Sequence, residues 1–514
     1  MQFLYNNAVA IAVAAVCSVF AWLYGGTVTS ALLPTVPWVL AILFELMICF
    51  PQRHRGESTT QARTRVWKRL KRDPLTWVVL AFLLVLIVPF FNKGLCPCCD
   101  YPEIHFDGMR QAPPIPFLPY CVNCAEHFTV LLWFVPALTA MLAVRHALLS
   151  EGKRTLLALI VWNGVALSAL GIVQHICGAE SPLWAEGWGE KAYFFSTFGY
   201  PNMGGDYFTT LFALAVALWR WRLDEIRAEC SSDDGASKVN CARFWRKHLY
   251  LIPAVVFFLS AMMTLSRAAI VLVSFLAVLF FIHSFISLLA NMSRLKRVKA
   301  IGVNLIAIVI VATFFYGFFF NRDTMMNAGG FRNEFNEEVS TLSIDAMLDR
   351  AAGKGQYHVR VATAIWLDNI LFGCGGWGYK HFCVPEMTDE EFLQMQKVGG
   401  INVHNDFLQF LAEHGLVGFG LMVAMVIMLL SPIVRTWRKL VTAAAFSKGA
   451  KRPPRPIAIF ALPASVFCIL AALVATLLHS LADCPLRSPA VLALFFVALA
   501  AAEGFMPKLK TNDE

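Results

Sequence analysis

One polar cluster interrupts the apolar chain at the mouth of a predicted helix. His404-Asn405-Asp406, followed by Glu413, begins a hydrophobic run that reaches Leu430. Ionisable groups are costly inside hydrocarbon, so such a cluster at a membrane helix indicates a functional site. The same residues could instead cap the helix by accepting bonds from its free N–H groups. On this stretch alone both interpretations stay open.

Arginine residues supply a second chemical ingredient. Arg267 lies in a tight turn between two apolar runs, Arg360 in a long polar segment, and Arg487 in a C-terminal turn that also holds Asp483. Guanidinium forks bind phosphate, and His404 can take a proton from a hydroxyl near neutral pH. Together these groups suit transfer of a group from a lipid phosphate or diphosphate to an acceptor hydroxyl, the arginines offsetting the charge of the leaving group. For Arg267 the alternative is an arginine that snorkels to the interface.

Helical geometry limits which of these groups act together. His404 and Glu413 are nine positions apart, about 180° around an ideal helix, whereas Asp406, Gln409 and Glu413 share a face. Glu413 is therefore expected to pair with a basic group elsewhere in the bundle. It would face His404 only if the helix breaks between these two residues.

A further outer loop ends in Tyr200-Pro201-Asn202, with Asp206 just inside the next apolar run. Asp206 is either a buried carboxylate with a functional role or a first-turn acid favoured by the helix dipole.

Composition defines the elements that must position these groups. The 514 residues are 58% hydrophobic and 15% charged, with a mean hydropathy of +0.60, whereas soluble proteins carry about 25% charged residues. Apolar runs of about 20 residues, each long enough to span a bilayer, predict an all-α polytopic membrane protein with about twelve transmembrane helices. The predicted spans are 7–24, 28–50, 75–91, 128–145, 155–173, 203–219, 249–265, 268–290, 301–320, 405–430, 458–479 and 489–505.

Charge distribution predicts the topology. The loops on one side hold 28 Lys and Arg residues and the short loops on the other hold 5, which places both termini in the cytoplasm and the polar clusters on the outer side. Since the net charge of +9 sits in alternate loops, it does not indicate a nucleic-acid partner. The predicted regions are a four-helix N-terminal part with a cysteine-containing outer loop (1–150), a membrane core (151–320), one large outer loop domain (321–404) and C-terminal helices with a short tail (405–514).

Cysteines cluster in the outer loop 92–127, as Cys96-Pro97-Cys98-Cys99 and Cys121-Val122-Asn123-Cys124. Such pairs form zinc sites, but an oxidising exterior favours disulfides. The pairing cannot be read from the sequence.

The long outer segment is predicted to contain helices at 333–350 and 356–370. In the second, Val359, Ala362, Trp366 and Ile370 form a stripe at helical spacing, which predicts a helix lying on the membrane with Arg360 beside the stripe. The glycine-rich stretch that follows lacks the Lys-Ser/Thr of a phosphate-binding loop, and a turn is predicted instead.

These motifs resemble the O-antigen ligase/O-antigen polymerase superfamily of bacterial membrane glycosyltransferases. The resemblance covers roughly residues 196–505, and the first four spans add nothing to it. It is carried by the Ser266-Arg267 turn, by Trp366 with Gly373-Cys374-Gly375-Gly376-Trp377-Gly378, by His404-Asn405-Asp406 with Glu413-His414-Gly415, and by His479-Ser480-Leu481-Ala482-Asp483-Cys484-Pro485-Leu486-Arg487.

The resemblance implies a GT-C-like fold in the bacterial inner membrane, with the active site facing the periplasm. It also implies an undecaprenyl-diphosphate-linked glycan donor and an inverting transfer that needs no metal or other cofactor. Arg267 and Arg360 would bind the diphosphate and His404 would be the base. Two residues depart from the family pattern. Cys484 stands where an aromatic residue is usual, and His414 adds a second imidazole. These departures bear on the identity of the acceptor more than on the chemistry.

The resemblance therefore favours a ligase that moves the glycan onto a hydroxyl of lipid A core. A glycan polymerase or a protein O-oligosaccharyltransferase of the same superfamily stays open as the alternative activity. The predicted partners are the lipid-linked glycan donor, a glycolipid or protein acceptor, and the membrane lipids. A twelve-helix transporter is the alternative from another class, although no matching halves are visible. The predicted site comprises His404 as catalytic base, Arg267, Arg360 and Arg487 for the diphosphate, and Asn202, Asn405, Asp406, Glu413 and Asp483 in support.

Overall fold

The computed structural model describes residues 2–94, 113–185, 194–231, 248–290, 358–398, 402–446 and 462–507. Within these ranges every extended regular element is a helix. The helices are α1 (Gln2–Trp22), α2 (Thr29–Cys49), α3 (Thr59–Arg72), α4 (Pro74–Ile87), α5 (Cys124–His146), α6 (Ser150–Ile176), α7 (Pro201–Ser231), α8 (Leu251–Met263), α9 (Arg267–Ala290), α10 (358–368), α11 (Tyr379–Phe382), α12 (Asp389–Val398), α13 (Asp406–Phe446), α14 (Ala464–His479) and α15 (Pro489–Ala502).

Seven of these helices are long and apolar enough to cross a membrane: α1, α2, α4, α5, α6, α9 and α13. The apolar helices α8, α14 and α15 are shorter. The predicted multi-pass helical architecture is therefore confirmed, whereas the number twelve and the GT-C-like arrangement stay predictions. The predicted span 301–320 and helix 333–350 lie outside the described residues.

Two helices form the centre of the bundle. Every residue of α15 is buried, as is nearly all of the first half of α7. α7 packs against α8 and α14, and α15 packs against α5. Small residues allow these close approaches: a Cβ on Gly205 of α7 would lie 2.5 Å from the Cβ of Ala269 in α9.

Helix α3 lies in a loop for which the sequence analysis predicted no element. Ser58 and Gln61 form a capping box, in which the Ser58 side chain accepts a bond from the Gln61 backbone and the Gln61 side chain accepts one from Ser58. The Ser-x-x-Gln spacing is visible in the sequence and could have predicted this helix start.

The predicted apolar stripe on α10 is divided between buried and exposed residues. Ala362 is buried, together with Val361 and Ile365, whereas Val359 and Ile370 are exposed. The face that contains Val361 and Ile365 is buried against the rest of the outer segment, and the placement of the helix on the membrane stays a prediction.

The outer cysteines are described only in part. The sulfur atoms of Cys121 and Cys124 lie 3.3 Å apart. Cys96, Cys98 and Cys99 lie outside the described residues. A disulfide framework thus stays a prediction, as do the four regional boundaries.

Candidate active site

Asp483 lies at the centre of the polar cluster, in the loop between α14 and α15. Its carboxylate accepts hydrogen bonds from the Tyr200 hydroxyl at 3.0 Å to each oxygen, from the Cys484 backbone N–H at 2.7 Å, and from Asn202. Burial alone would raise the pKa of Asp483, but the hydrogen bond and charge of His404 and the Cys484 bond outweigh burial and lower it. The carboxylate is therefore ionised at neutral pH.

His404 is placed against this carboxylate by an unusual backbone conformation. Its φ is +52°, in the left-handed region that non-glycine residues rarely adopt. The ring Nδ1 lies 3.3 Å from Asp483 Oδ1, and the side chain is about one third exposed (36%). Because an ionised carboxylate can only accept, the proton of neutral His404 is assigned to Nδ1, which leaves Nε2 as the basic nitrogen. Strain of this kind is concentrated at functional sites.

The Arg267 turn joins the same network. Ser266 Oγ donates to Asn202 Oδ1 at 2.5 Å, and the Asn202 amide donates to Asp483. Arg267 is the first residue of α9, half-buried, directly after Ser266. A continuous hydrogen-bonded chain therefore links the Arg267 turn to His404 through two side chains and one carboxylate.

Asn405 and Asp406 join the start of α13 to the loop between α14 and α15. Asn405 Oδ1 accepts from the Leu408 N–H at 3.0 Å, as a helix cap does, and its amide donates to the Leu481 carbonyl. Asp406 is buried, its N–H donates to the Ser480 carbonyl at 2.9 Å, and its Oδ2 accepts from the Leu486 N–H at 2.9 Å. The capping interpretation thus holds for Asn405, while Asp406 fastens the start of α13 to the loop that carries Asp483.

Glu413 and Arg487 form a buried ion pair. Arg487 Nη2 lies 2.6 Å from Glu413 Oε2, and the side chains are 11% and 3% exposed. Gln409 donates to the other Glu413 oxygen at 3.2 Å, and the Arg487 guanidinium lies 4.6 Å from the ring centroid of Trp377. The expected basic partner of Glu413 is therefore Arg487, and its guanidinium is held by a carboxylate and an indole.

Helix α13 breaks two residues after Glu413. Gly415 has φ +61° and ψ −171°, which is not helical. The carbonyls of Ala412 and Glu413 accept from the N–H groups of Cys374 and Gly375, both at 2.9 Å. The N–H groups of Leu416 and Val417 donate to the carbonyls of Ile370 and Leu371 at 2.9 and 3.0 Å.

These four bonds satisfy backbone groups that the break would leave without partners. The glycine-rich turn is required for the contact, since a Cβ on Gly373 would lie 2.3 Å from the Glu413 backbone. The outer segment is thus joined to α13 directly beside the Glu413–Arg487 pair.

The outer segment contributes a second imidazole to the site. His358 is buried and hydrogen-bonds through Nδ1 to the Tyr379 hydroxyl at 2.9 Å; its ring centroid lies 6.1 Å from that of His404. Burial, and then the proximity of His404, lower the pKa of His358 to about 4. Arg360 points elsewhere: its guanidinium pairs with Glu391 and is half exposed.

A second carboxylate–imidazole pair lies behind the site. Asp206 is 1% exposed, and its oxygens lie 3.1 Å from His479 Nδ1 and 2.9 Å from the Thr476 hydroxyl. Asp206 is therefore a buried carboxylate with specific partners, and a functional role for it stays a prediction. This pair fixes α7 to the end of α14, from which the Asp483 loop leaves.

Three residues of the cluster have metal-ligand chemistry. The ligand atoms of His404, Asp483 and Cys484 all lie within 4.8 Å of one another. Burial, and then the nearby carboxylate of Asp483, raise the pKa of the Cys484 thiol well above its usual range, whereas zinc binds the thiolate. The Asp483 oxygens already accept hydrogen bonds from Tyr200 and Cys484. The donor set thus fits a hydrogen-bonded network better than a zinc site.

The structure brings together most, but not all, of the predicted site residues. His404, Asp483, Asn202 and the Arg267 turn share one network, and Asn405 and Asp406 fix its loops in place. Glu413 and Arg487 pair with each other, and Arg360 pairs with Glu391.

Tyr200 and His358 were missed by the sequence analysis. Tyr200 stands two positions before Asn202 and His358 two before Arg360, so both were close to residues that were chosen. The sequence carries no sign that they face the cluster.

A family model described as O-antigen ligase matches residues 252–423. No match was found among curated proteins. The matched third of the chain contains Arg267, Arg360, His404 and Glu413, whereas Asn202, Asp483 and Arg487 lie outside it and contact it. The match confirms the resemblance that the motifs indicated and favours an enzyme over a carrier.

Proposed function

We propose, from the premise that this chain is a multi-pass membrane enzyme of the O-antigen ligase/polymerase superfamily, that it is a glycan ligase. It transfers an undecaprenyl-diphosphate-linked glycan to a hydroxyl of lipid A core on the periplasmic side of the bacterial inner membrane. The observation that carries the proposal is the hydrogen-bonded chain from the Arg267 turn through Asn202 and Asp483 to His404.

In this reaction His404 Nε2 takes the proton of the acceptor hydroxyl. The hydroxyl oxygen then forms a bond to the anomeric carbon as the bond from that carbon to the diphosphate oxygen breaks, with inversion. Asp483 holds the imidazole in the tautomer that leaves Nε2 free and stabilises the imidazolium that forms, as the carboxylate does in a catalytic triad.

The leaving undecaprenyl diphosphate gains negative charge, which Arg267 offsets at the start of α9. The N-terminal end of a helix favours an anion on its own account, so the position of Arg267 adds to its charge. Arg360 can join Arg267 once its guanidinium leaves Glu391 for the diphosphate. Arg487 supports the site by keeping the Glu413 end of α13 in place.

The test uses purified full-length protein with an undecaprenyl-diphosphate-linked glycan and a lipid A core acceptor. Removing one preorganised stabiliser of developing charge costs about 10²- to 10³-fold in rate, and we expect this loss for Arg267→Ala. Arg55→Ala, an exposed arginine in the loop before α3, serves as the control and should transfer at the wild-type rate. Equal transfer by Arg267→Ala and wild type would remove the proposed diphosphate contact.

The products separate the related activities. A ligase yields core carrying long glycan chains, a polymerase lengthens the lipid-linked glycan without using the core, and a protein transferase needs a polypeptide acceptor. Transfer should persist in excess chelator, because the proposed steps use no metal. Loss on chelation, restored by zinc, would instead assign His404, Asp483 and Cys484 to a metal site.

A further inference from the structure

Helix α3 presents a basic face at the opposite end of the predicted topology from the active site. Arg65, Lys68, Arg69 and Arg72 are spaced by three and four residues, so they project from one side of the helix. The adjoining face, which includes Val66, is buried against the bundle. Packing therefore fixes the direction in which the four basic side chains point.

These side chains line an open cleft of about 1880 Å³ between α3, the junction of α5 with α6, and the far end of α13. The inner wall of the cleft is electrically balanced. Arg145 pairs with Asp73 at 3.2 Å and with Glu503 at 3.3 Å, and Lys153 pairs with Glu503 at 3.1 Å. Two cations thus neutralise two carboxylates there.

The outer wall carries surplus positive charge. Lys68, Arg69, Arg72 and Lys439 line the cleft, and none makes an ion pair with a described residue. Arg65 pairs with Glu57 at 2.9 Å, yet its Nη1 is buried without a hydrogen-bond partner. A cleft wall that carries charge of one sign attracts counter-ions, so this wall favours an anion.

Mutual repulsion within this wall points to the same conclusion. Partial burial, and then the charge of nearby Arg65, lower the pKa of Arg69. An anion between the two guanidinium groups would relieve that repulsion. Planar guanidinium donors match phosphate geometry in particular.

The position of the cleft at the ends of candidate membrane spans favours a lipid as the source of the phosphate. It opens where α4 and α6 begin and α5 ends, at one end of three candidate membrane spans. Trp67 on α3 and Trp77 in the first turn of α4 are 45% and 59% exposed, as aromatic side chains at the headgroup level are. A phosphate at this level belongs to a lipid.

We propose that this cleft binds the phosphate of an anionic glycerophospholipid headgroup, which Arg65, Lys68, Arg69 and Arg72 hold from α3 and Lys439 from α13. The bound lipid bridges α3 to the end of α13. The lipid thus fixes the far end of α13, which begins at the active site and breaks at Gly415. The site is separate from the proposed glycan donor site and does not depend on the proposed function.

The test is native mass spectrometry of the full-length protein released from nanodiscs of phosphatidylglycerol and phosphatidylethanolamine, prepared at about 0.15 M salt, where charges beyond about 8 Å are screened. Lys68→Gln and Lys71→Gln form a matched pair: both residues are exposed lysines on α3, but only Lys68 lines the cleft. Each basic residue near an anionic surface contributes about fivefold in binding. We expect about fivefold lower phosphatidylglycerol retention for Lys68→Gln, about a hundredfold for the triple change of Lys68, Arg69 and Arg72 to Gln, and less than a twofold change for Lys71→Gln.

Two results would overturn the proposal. Equal losses in Lys68→Gln and Lys71→Gln would indicate diffuse surface charge rather than a cleft site. Displacement of phosphatidylglycerol by millimolar inorganic phosphate, with the same phosphate retained by the protein alone, would indicate a site for free anions. Thermal unfolding in detergent at the wild-type temperature would show that the triple variant is folded, as expected for exposed positions.

Discussion

Among the residues of the candidate site, Asp483 joins groups from three parts of the chain. It accepts from Tyr200, Asn202 and the Cys484 backbone while facing His404 Nδ1. These donors keep the carboxylate ionised and fixed, and a fixed carboxylate is what an imidazole base needs to present one tautomer. The histidine alone would be a weaker and less oriented base.

Replacing Asp483 by Asn tests this role. The amide keeps the size of the side chain but loses the charge that stabilises the imidazolium, so we expect turnover to fall about 10²- to 10⁴-fold with little change in KM. Asp368→Asn, an exposed acid at the end of α10, should leave turnover unchanged. A normal rate with Asp483→Asn would mean that His404 acts without its partner or is not the base.

His358 gives the fold a pH dependence in the acid range. Its folded pKa of about 4 lies below the unfolded value of about 6.5, so as the pH falls from 6.5 towards 4 the unfolded chain takes up a proton that the folded chain does not. The free energy of unfolding should therefore decrease over this window, by up to about 3 kcal/mol from this group. Thermal unfolding in detergent between pH 7.5 and 4.5 measures it. His358→Gln should flatten this part of the curve, and an unchanged slope would contradict the assignment.

At the scale of elements, the break in α13 determines where the outer segment can lie. An unbroken helix would use the carbonyls of Ala412 and Glu413 internally and leave none for Cys374 and Gly375. The break exposes two carbonyls and two N–H groups, and the chain from Ile370 to Gly375 satisfies all four. The outer segment is thus attached by backbone, which side-chain patterns do not report.

Gly415→Ala should loosen that attachment. The φ of +61° disfavours any side chain, and the new Cβ would lie 2.3 Å from the Leu371 carbonyl oxygen. We expect the free energy of unfolding to fall by about 2–4 kcal/mol, because strain adds to displaced hydrogen bonds. Gly420→Ala lies in the same helix with nothing within 4 Å and should be neutral or stabilising by up to about 1 kcal/mol. Equal thermal stabilities of the two variants would show that the break tolerates a side chain.

For the whole molecule, the asymmetry in basic residues predicts that the His404 network faces the periplasm. Loops rich in Lys and Arg remain in the cytoplasm, and α3 lies in one of them. The α3 cleft and the active site are then at opposite ends of the bundle, and α13 connects them.

Reporter fusions test this orientation. Alkaline phosphatase joined after Gly178 should be active, since that position follows α6 on the outer side, whereas the same enzyme joined after Arg72 should be inactive. Both fusions should be expressed to similar levels on immunoblots. Activity in the reverse pattern would place the proposed site in the cytoplasm and exclude periplasmic transfer.

Much of the architecture follows from the apolar runs, because a membrane span needs a minimum length of apolar residues. Helix ends were less predictable: α8 ends at Met263 and α13 continues to Phe446, since packing and capping rather than hydropathy determine where a helix stops. Helix α3 was missed because its basic face hides its periodicity.

The candidate site was predictable where a residue type is costly in a membrane, as for Arg267 and His404. Partners were not, because they depend on contacts between distant parts of the chain. For Arg487, the contacts with Glu413 and Trp377 could not be predicted, and its role in diphosphate binding stays a prediction. Tyr200 was not chosen as a site residue because tyrosine is common at membrane interfaces.

The attachment of residues 370–375 to the break in α13 also constrains how related chains can diverge. Four bonds in fixed register tolerate no extra or missing residue between Ile370 and Gly375, or between Ala412 and Val417. Insertions and deletions should therefore collect after Gly378 and before α13, where chain length is not tied to this register. An alignment of homologues should therefore show no gaps within these two short stretches and should show gaps between them.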